Sequence, residues 1–245
     1  MVTREDAVGR LCLAVDKVKS LGEIITLLLI FRGKVGFVKF NVAFVLAHEN
    51  AVLIARAMGY KVWVDLKSED IPDTVKGIIL ALREMGVGVC TIHLSGGPEM
   101  IRQAVEAAGN EMTVLGITVL TSINQKTFNE DLGMPGLISD RVMFLARLGH
   151  RNGVHGVVCS GLEVREVKNK FGSNFFAVTP GIRFETKGAD RDQKRVVTPY
   201  LAAHDGSDLL VMGSDLIKGG PDAADRAVDE IYQALIDRNN ELLRL

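Results

Sequence analysis

The chain has 245 residues, 47% of them hydrophobic and 24% charged, with a formal net charge of -1. That length fits one domain of about 250 residues or two small ones, and the near-neutral balance gives no electrostatic reason to expect a nucleic-acid or anionic-membrane partner. Apolar runs such as Ile24–Phe31 fall far short of the roughly 20 residues needed to span a bilayer, and the mixed-charge start MVTREDAVGR does not read as a signal peptide, so a cytoplasmic protein with a small-molecule partner is expected.

Eight short β-rich apolar runs follow one another: Leu11–Val15, Val35–Phe40, Val62–Asp65, Val87–His93, Thr113–Leu120, Val154–Cys159, Phe175–Val178 and Leu209–Met212. All but one of the gaps between them hold a helical pattern. The helical candidates include Ala43–Met58, Pro72–Met85, Glu99–Ala108, Ser139–Leu148, Gly161–Lys170 and Pro221–Asn239, the last with Ile231 and Leu235 at helical spacing. Strand and helix alternate with no linker-like or low-complexity segment, which predicts a single (β/α)8 TIM barrel over residues 1–245. The competing open sheet would need a glycine-rich dinucleotide loop after the first strand, and LCLAVDKVKSLG has no G-x-G-x-x-G pattern. Cys12, Cys90 and Cys159 are widely separated in apolar runs, with neither C-x-x-C spacing nor a nearby histidine pair, and read as buried free thiols rather than metal ligands.

Nearly every predicted strand hands over to its loop at a polar or small residue: Asp16, Lys39, Asp65 with Lys67, His93, Thr121 with Ser122, Ser160, Pro180 with Gly181, and Gly213 with Ser214. Active sites of this fold are assembled from such exits, so agreement between independent strands carries more weight than any one motif. The densest segment is VWVDLKSEDIPDTV, Val62–Val75, which sets Asp65, Lys67 and Asp70 at the exit of an apolar strand. Strand alternation points Asp65 and Lys67 the same way, preset to form an ion pair, and Pro72 suits the first turn of the helix that follows. A surface salt bridge beside a helix start is the plainer reading of that segment alone. Lys39, in GFVKFN, would be costly to bury without a carboxylate, and Asp65 and Asp70 are its natural partners, unless it snorkels out of the strand end. His93 is as well suited to orienting a loop as to acid–base chemistry, and no catalytic role is assigned to it. Ser122 is either a helix cap or a ligand contact.

In order along the chain, DLKSEDIPDTV, HLSGG, VLTS, VVCS, VTPGIR and DQKRVVTP resemble orotidine 5'-phosphate decarboxylase of the bacterial type, and the resemblance spans almost the entire chain. It implies a (β/α)8 homodimer with active sites at the subunit interface and no metal or organic cofactor. Carried across residue by residue, it makes Lys39, Asp65 and Lys67 the charged array of one subunit, with Asp70, Ile71 and Thr74 supplied to the neighbour's site. Asp16 would hydrogen-bond the ribose, Ser122 the pyrimidine ring, and Gln193 the phosphate or the closing loop over it, with Phe184–Asp192 as that mobile loop. Pro180, Gly213 and Ser214 complete the implied substrate-binding set. The implied reaction removes the C6 carboxylate of a pyrimidine nucleotide as carbon dioxide, with Lys67 protonating C6.

The sequence also departs from that pattern. The family ends its eighth strand in V-x-G-R, with the arginine on the substrate phosphate, whereas here VMGS places Ser214 at that position. Asn41 replaces the glycine of K-V-G, Ser68 and Glu69 follow DLK, and Asp73 stands in DIPDT where the family has asparagine. Losing a cation that grips phosphate weakens the remote binding energy such enzymes use. The first expectation is a pyrimidine nucleotide decarboxylase, with Lys218, one turn on, as a replacement for the arginine. The alternative is a specialised-pathway paralogue acting on a nucleoside or modified pyrimidine without the 5'-phosphate, and a third is a catalytically silent nucleotide-binding barrel.

Overall fold

The computed structural model describes residues 2–16, 20–185 and 195–244. Eight parallel strands close into a barrel in chain order: β1 (Leu11–Ala14), β2 (Phe37–Asn41), β3 (Lys61–Ser68), β4 (Val89–His93), β5 (Thr113–Ile117), β6 (Gly156–Val158), β7 (Phe176–Thr179) and β8 (Leu209–Met212). The last strand returns to the first, with Cys12 opposite Val211, so the sheet has no free edge. Each strand overlaps one of the apolar runs of the sequence. Strands buried on both faces need such unbroken apolar runs, because helices cover the outside while side chains fill the lumen.

The helices are α1 (Arg4–Val8), α2 (Leu21–Ile30), α3 (Val42–Ala47), α4 (Ala51–Ala57), α5 (Pro72–Glu84), α6 (Gly97–Ala108), α7 (Ile138–Arg151), α8 (Val164–Phe171), α9 (Pro199–Asp205) and α10 (Ser214–Leu242). The expected helix Ala43–Met58 is two helices. His48, at φ -140° and ψ 74°, leaves the helical region, and the polar run His48-Glu49-Asn50 bridges the break. The last helix begins at Ser214 rather than Pro221, with a kink at Gly220 (φ 63°, ψ -151°). The residue before a proline is pushed away from helical geometry, and glycine takes this left-handed turn without a Cβ clash. Helices α1, α2 and α9 lie outside the helical ranges named from the sequence: α1 and α9 are too short to display a period, and α2, LGEIITLLLI, is apolar on exposed faces as well, with Leu29 59% exposed.

Two apolar layers hold the barrel. The outer one, between strands and helices, includes Leu11, Val38, Val64, Ile79, Ile101 and Ile231. The inner one fills the lumen with Cys12, Ala14, Trp63, Val89, Leu115, Val178, Leu209 and Val211. Burial raises the thiol pKa values of Cys12, Cys90 and Cys159, that of Cys90 to about 12, and all three are free. Among the described residues, no helix is long and apolar enough to cross a membrane.

Candidate active site

A cleft of about 610 Å³ opens at the carboxyl ends of the strands, within the size range of small-molecule sites. Its floor is the top of the inner layer, Ala14, Trp63, Val158 and Val211. Its walls come from the exits of β1, β2, β3, β5, β7 and β8, which is the convergence the strand-end residues led one to expect.

On one wall stand Asp16, Lys39, Asp65 and Lys67. The Lys39 ammonium donates to Asp16 Oδ1 at 2.7 Å and lies 3.3 Å from Asp65 Oδ2, while Lys67 Nζ donates to the same Asp65 oxygen at 2.6 Å. Lys39 and Asp65 are almost wholly buried, whereas the Lys67 side chain stays 38% exposed toward the cleft. Burial opposes the charge on Lys39, but the carboxylates of Asp65 and Asp16 outweigh it and hold the pKa above the ordinary lysine value. Burial likewise works against Asp65 ionisation, yet Lys39, Lys67 and a hydrogen bond from Thr91 keep its carboxyl below the usual range. Lys39 and Asp65 therefore both stay charged at neutral pH, because each buried charge has an opposite partner.

Two expectations about this wall need correction. Within the chain, Lys39 is paired by Asp65 and Asp16 and not by Asp70: Asp70 is exposed, and its Oδ1 accepts from the Ile71 backbone N–H at 2.6 Å. Nor do Asp65 and Lys67 meet through uniform alternation. Lys67 has φ 54°, and the register between β3 and β4 slips between Val64 and Ser68. Such a bulge re-aims side chains at the rim of a barrel, and here it turns both charges toward the cleft mouth.

The β7 and β8 exits contribute Pro180, Gly181, Arg183, Gly213, Ser214, Ile217 and Lys218 to the lining. Gly181 has φ 76°, a turn that favours glycine, and a Cβ on Gly213 would come within 3.1 Å of the Ala14 carbonyl oxygen. Arg183 Nε is 3.8 Å from Asp215 Oδ1, and the other oxygen of Asp215 accepts from the Phe184 backbone N–H at 3.2 Å. Ser122 lines the cleft, and nearby Asn124 Oδ1 accepts from the Thr127 backbone N–H at 2.9 Å. Asn41 joins two exits, accepting from Phe44 N at 2.9 Å and donating to the Asp16 carbonyl at 3.2 Å.

Asp70, Ile71 and Thr74 are exposed and lie outside this cleft, with Ile71 67% exposed. Gln193 and residues 186–192 of the expected loop lie outside the described residues. His93 does not line the cleft, and burial lowers its pKa. Sequence reasoning passed over Arg183, Trp63 and Thr91. Arg183 sits inside the quoted VTPGIR, and Thr91 and Trp63 share strand parity with His93 and Asp65, so the alternation that found the latter pair points inward for these as well. Among the described residues, no group of three or more His, Cys, Asp or Glu side chains is placed to hold a metal ion.

A closed parallel barrel with a lysine–aspartate array at its carboxyl mouth defines a (β/α)8-barrel enzyme. The chain belongs to the orotidine 5'-phosphate decarboxylase / HUMPS family, whose sequence model matches residues 9–227. It is 36% identical over 208 residues to an orotidine 5'-phosphate decarboxylase of Wolbachia pipientis, covering 84% of this chain and 90% of that one. With an orotidine 5'-phosphate decarboxylase of Sphingopyxis alaskensis it shares 37% identity over 219 residues, 89% and 96% of the two chains. The crystal structure of orotidine 5'-phosphate decarboxylase from Lactobacillus acidophilus superimposes with a TM-score of 0.78 at 28% identity, covering 90% of this chain and 98% of that one.

Proposed function

We propose that this protein is a carboxy-lyase that converts orotidine 5'-monophosphate to the uridine nucleotide, and that it works as a homodimer in the cytoplasm. The observation that carries the reading is the Lys39–Asp65–Lys67 array, with Asp16 beside it, on one wall of the cleft of a chain that belongs to this family.

Chemically, the bond from C6 to the carboxylate carbon breaks, its electron pair stays on C6, and carbon dioxide leaves. That pair lies in the ring plane and has no resonance outlet, so a fixed ammonium is the group that can stabilise it. Lys67, exposed to the cleft and held by Asp65, is that ammonium, and it then transfers a proton to C6 and recovers one from solvent. Lys39, buried and doubly paired, keeps Asp65 in place and leaves Asp16 at the cleft edge for the ribose hydroxyls. Three buried free thiols suit a reducing compartment.

At the β7 and β8 exits, Arg183 and Lys218 are the cations available to a 5'-phosphate, with the Ser214 hydroxyl between them in sequence. A second reading, a nucleoside or modified pyrimidine as substrate, is favoured by Asp215, whose carboxylate stands close enough to Arg183 to offset its charge. The homodimer is supported by Asp70 and Ile71: both follow directly on the array, and both face outward from a single chain. Purified protein incubated with orotidine 5'-monophosphate should release carbon dioxide and form the uridine nucleotide. Release from orotidine and not from the nucleotide would select the second reading, and release from neither would overturn both.

A further inference from the structure

Thr91 is fully buried at the middle of β4, below the cleft rim and outside its lining. Opposite it the β3 ladder is interrupted: Val64 pairs with Cys90 and Ser68 with Ile92, so Asp65, Leu66 and Lys67 face the single residue Thr91. An expanded strand of this kind strands its backbone donors, because the regular partner carbonyls are no longer opposite. Lys67 is also the one non-glycine residue among those described with positive φ, 54°, a conformation that persists only where surrounding groups hold it.

The Thr91 hydroxyl meets both needs at once. Its oxygen accepts from the Lys67 backbone N–H at 3.0 Å, and its proton goes to Asp65 Oδ1 at 2.9 Å. A hydroxyl has one proton and two lone pairs, so this pairing fixes its rotation and spends its only donor on Asp65. With Oδ1 held by Thr91, the other carboxylate oxygen, Oδ2, is left facing both ammonium groups, Lys67 at 2.6 Å and Lys39 at 3.3 Å. Valine has nearly the same shape and could do neither.

We infer that Thr91 is a positioning residue for the decarboxylation: its hydroxyl pins the bulged Lys67 backbone and the Asp65 carboxylate together, setting where the Lys67 ammonium stands over the reacting carbon. The catalytic part of this inference rests on the function proposed above. The backbone part does not.

The test compares Thr91→Val, Thr91→Ser and Thr91→Ala with the wild type, using carbon dioxide release from orotidine 5'-monophosphate and amide hydrogen exchange at Lys67. Thr91→Val should lower kcat about 10- to 100-fold, with KM changed less than about threefold, the range for misplacing a proton donor already on the enzyme. It should also speed exchange of the Lys67 amide, and Thr91→Ser should restore both. A residue that merely filled space would behave alike as serine and alanine and would not separate kcat from KM. Native kcat in Thr91→Val, or serine and alanine variants equally impaired, would overturn the proposal. If Thr91→Val does not fold, the serine and alanine variants decide by the same criteria. If the wild type releases no carbon dioxide, the proposed function fails, and unchanged Lys67 exchange in Thr91→Val would separately remove the pinning role.

Discussion

Lys39 on β2 and Asp65 on β3 meet diagonally across the ladder, their charged groups 3.3 Å apart, and each also holds a second opposite charge, Asp16 for the lysine and Lys67 for the aspartate. Four charges in a row, two positive and two negative, let an ammonium survive in the barrel wall and present another to the cleft. The Trp63 ring, 6.0 Å from Lys39 Nζ, adds an aromatic face to the same ammonium.

Removing the central lysine should damage both stability and rate. Among the described residues, Lys39→Met leaves Asp65 with Lys67 as its only cation and Asp16 with none, and the expected loss is about 1–3 kcal/mol, below the range for a wholly unpaired buried charge because Lys67 remains. Turnover should fall by about 10²–10³, the scale of losing one preorganised electrostatic group. Urea unfolding and steady-state kinetics on the same preparation check the two effects.

The pH dependence of stability has a definite sign. Asp65 has its pKa lowered in the folded state, so its contribution is present above the ordinary aspartate value of about 3.9 and is lost as pH falls through the lower folded value. Lys39 has its pKa raised, so its contribution is present below the ordinary lysine value of about 10.4 and is lost as pH rises through the higher folded value. Melting temperatures of the wild type and of Lys39→Met/Asp65→Leu should therefore converge at both extremes relative to neutral pH. Parallel curves across the whole range would contradict the assignment.

The β8 exit offers a gain-of-function experiment. Lys218→Ala should raise KM for the nucleotide about 10- to 100-fold, the worth of a charge-assisted hydrogen bond of roughly 1.5–3 kcal/mol, and should leave use of the nucleoside unchanged. Ser214→Arg, which adds a cation to this part of the cleft, should lower KM for the nucleotide in both the wild type and the Lys218→Ala background. Titration with the uridine nucleotide at two salt concentrations gives an independent readout, since a phosphate contact weakens as screening grows.

Subunit complementation tests the proposal that two subunits share each site. Lys67→Ala and Asp70→Ala homodimers should each be inactive. Mixing them after unfolding and refolding should recover about a quarter of wild-type activity, because half the dimers are mixed and each mixed dimer has one intact site of two. No recovery would mean that Asp70 serves its own chain or no site at all.

How far the sequence revealed this site depends on which residues one considers. The strands were legible because burial on both faces demands unbroken apolar runs, and Lys39, Asp65 and Lys67 stood out as charges at the ends of such runs. Helix α2 was not, because its exposed Leu29 and Ile30 blur the amphipathic stripe that identifies a helix. Of the two partners expected for Lys39, Asp65 pairs with it and Asp70 does not, and Asp16 went unnoticed because alternation along one strand says nothing about the neighbouring strand: Asp16 reaches Lys39 through the β1–β2 register, in which Ala14 stands opposite Lys39. Thr91 carries no charge and sits in an ordinary β-branched run, and its role becomes visible only beside the bulge it closes.

The central claim is that Lys67, held by Asp65, drives decarboxylation of a pyrimidine nucleotide in this cleft. The most direct measurement is carbon dioxide release from orotidine 5'-monophosphate and from orotidine, side by side, by the wild type and by Lys67→Ala. The account predicts release from the nucleotide by the wild type, slower release from the nucleoside, and none above background from the variant. Nucleotide turnover that survives in Lys67→Ala, or a wild type inactive on the nucleotide, would contradict it.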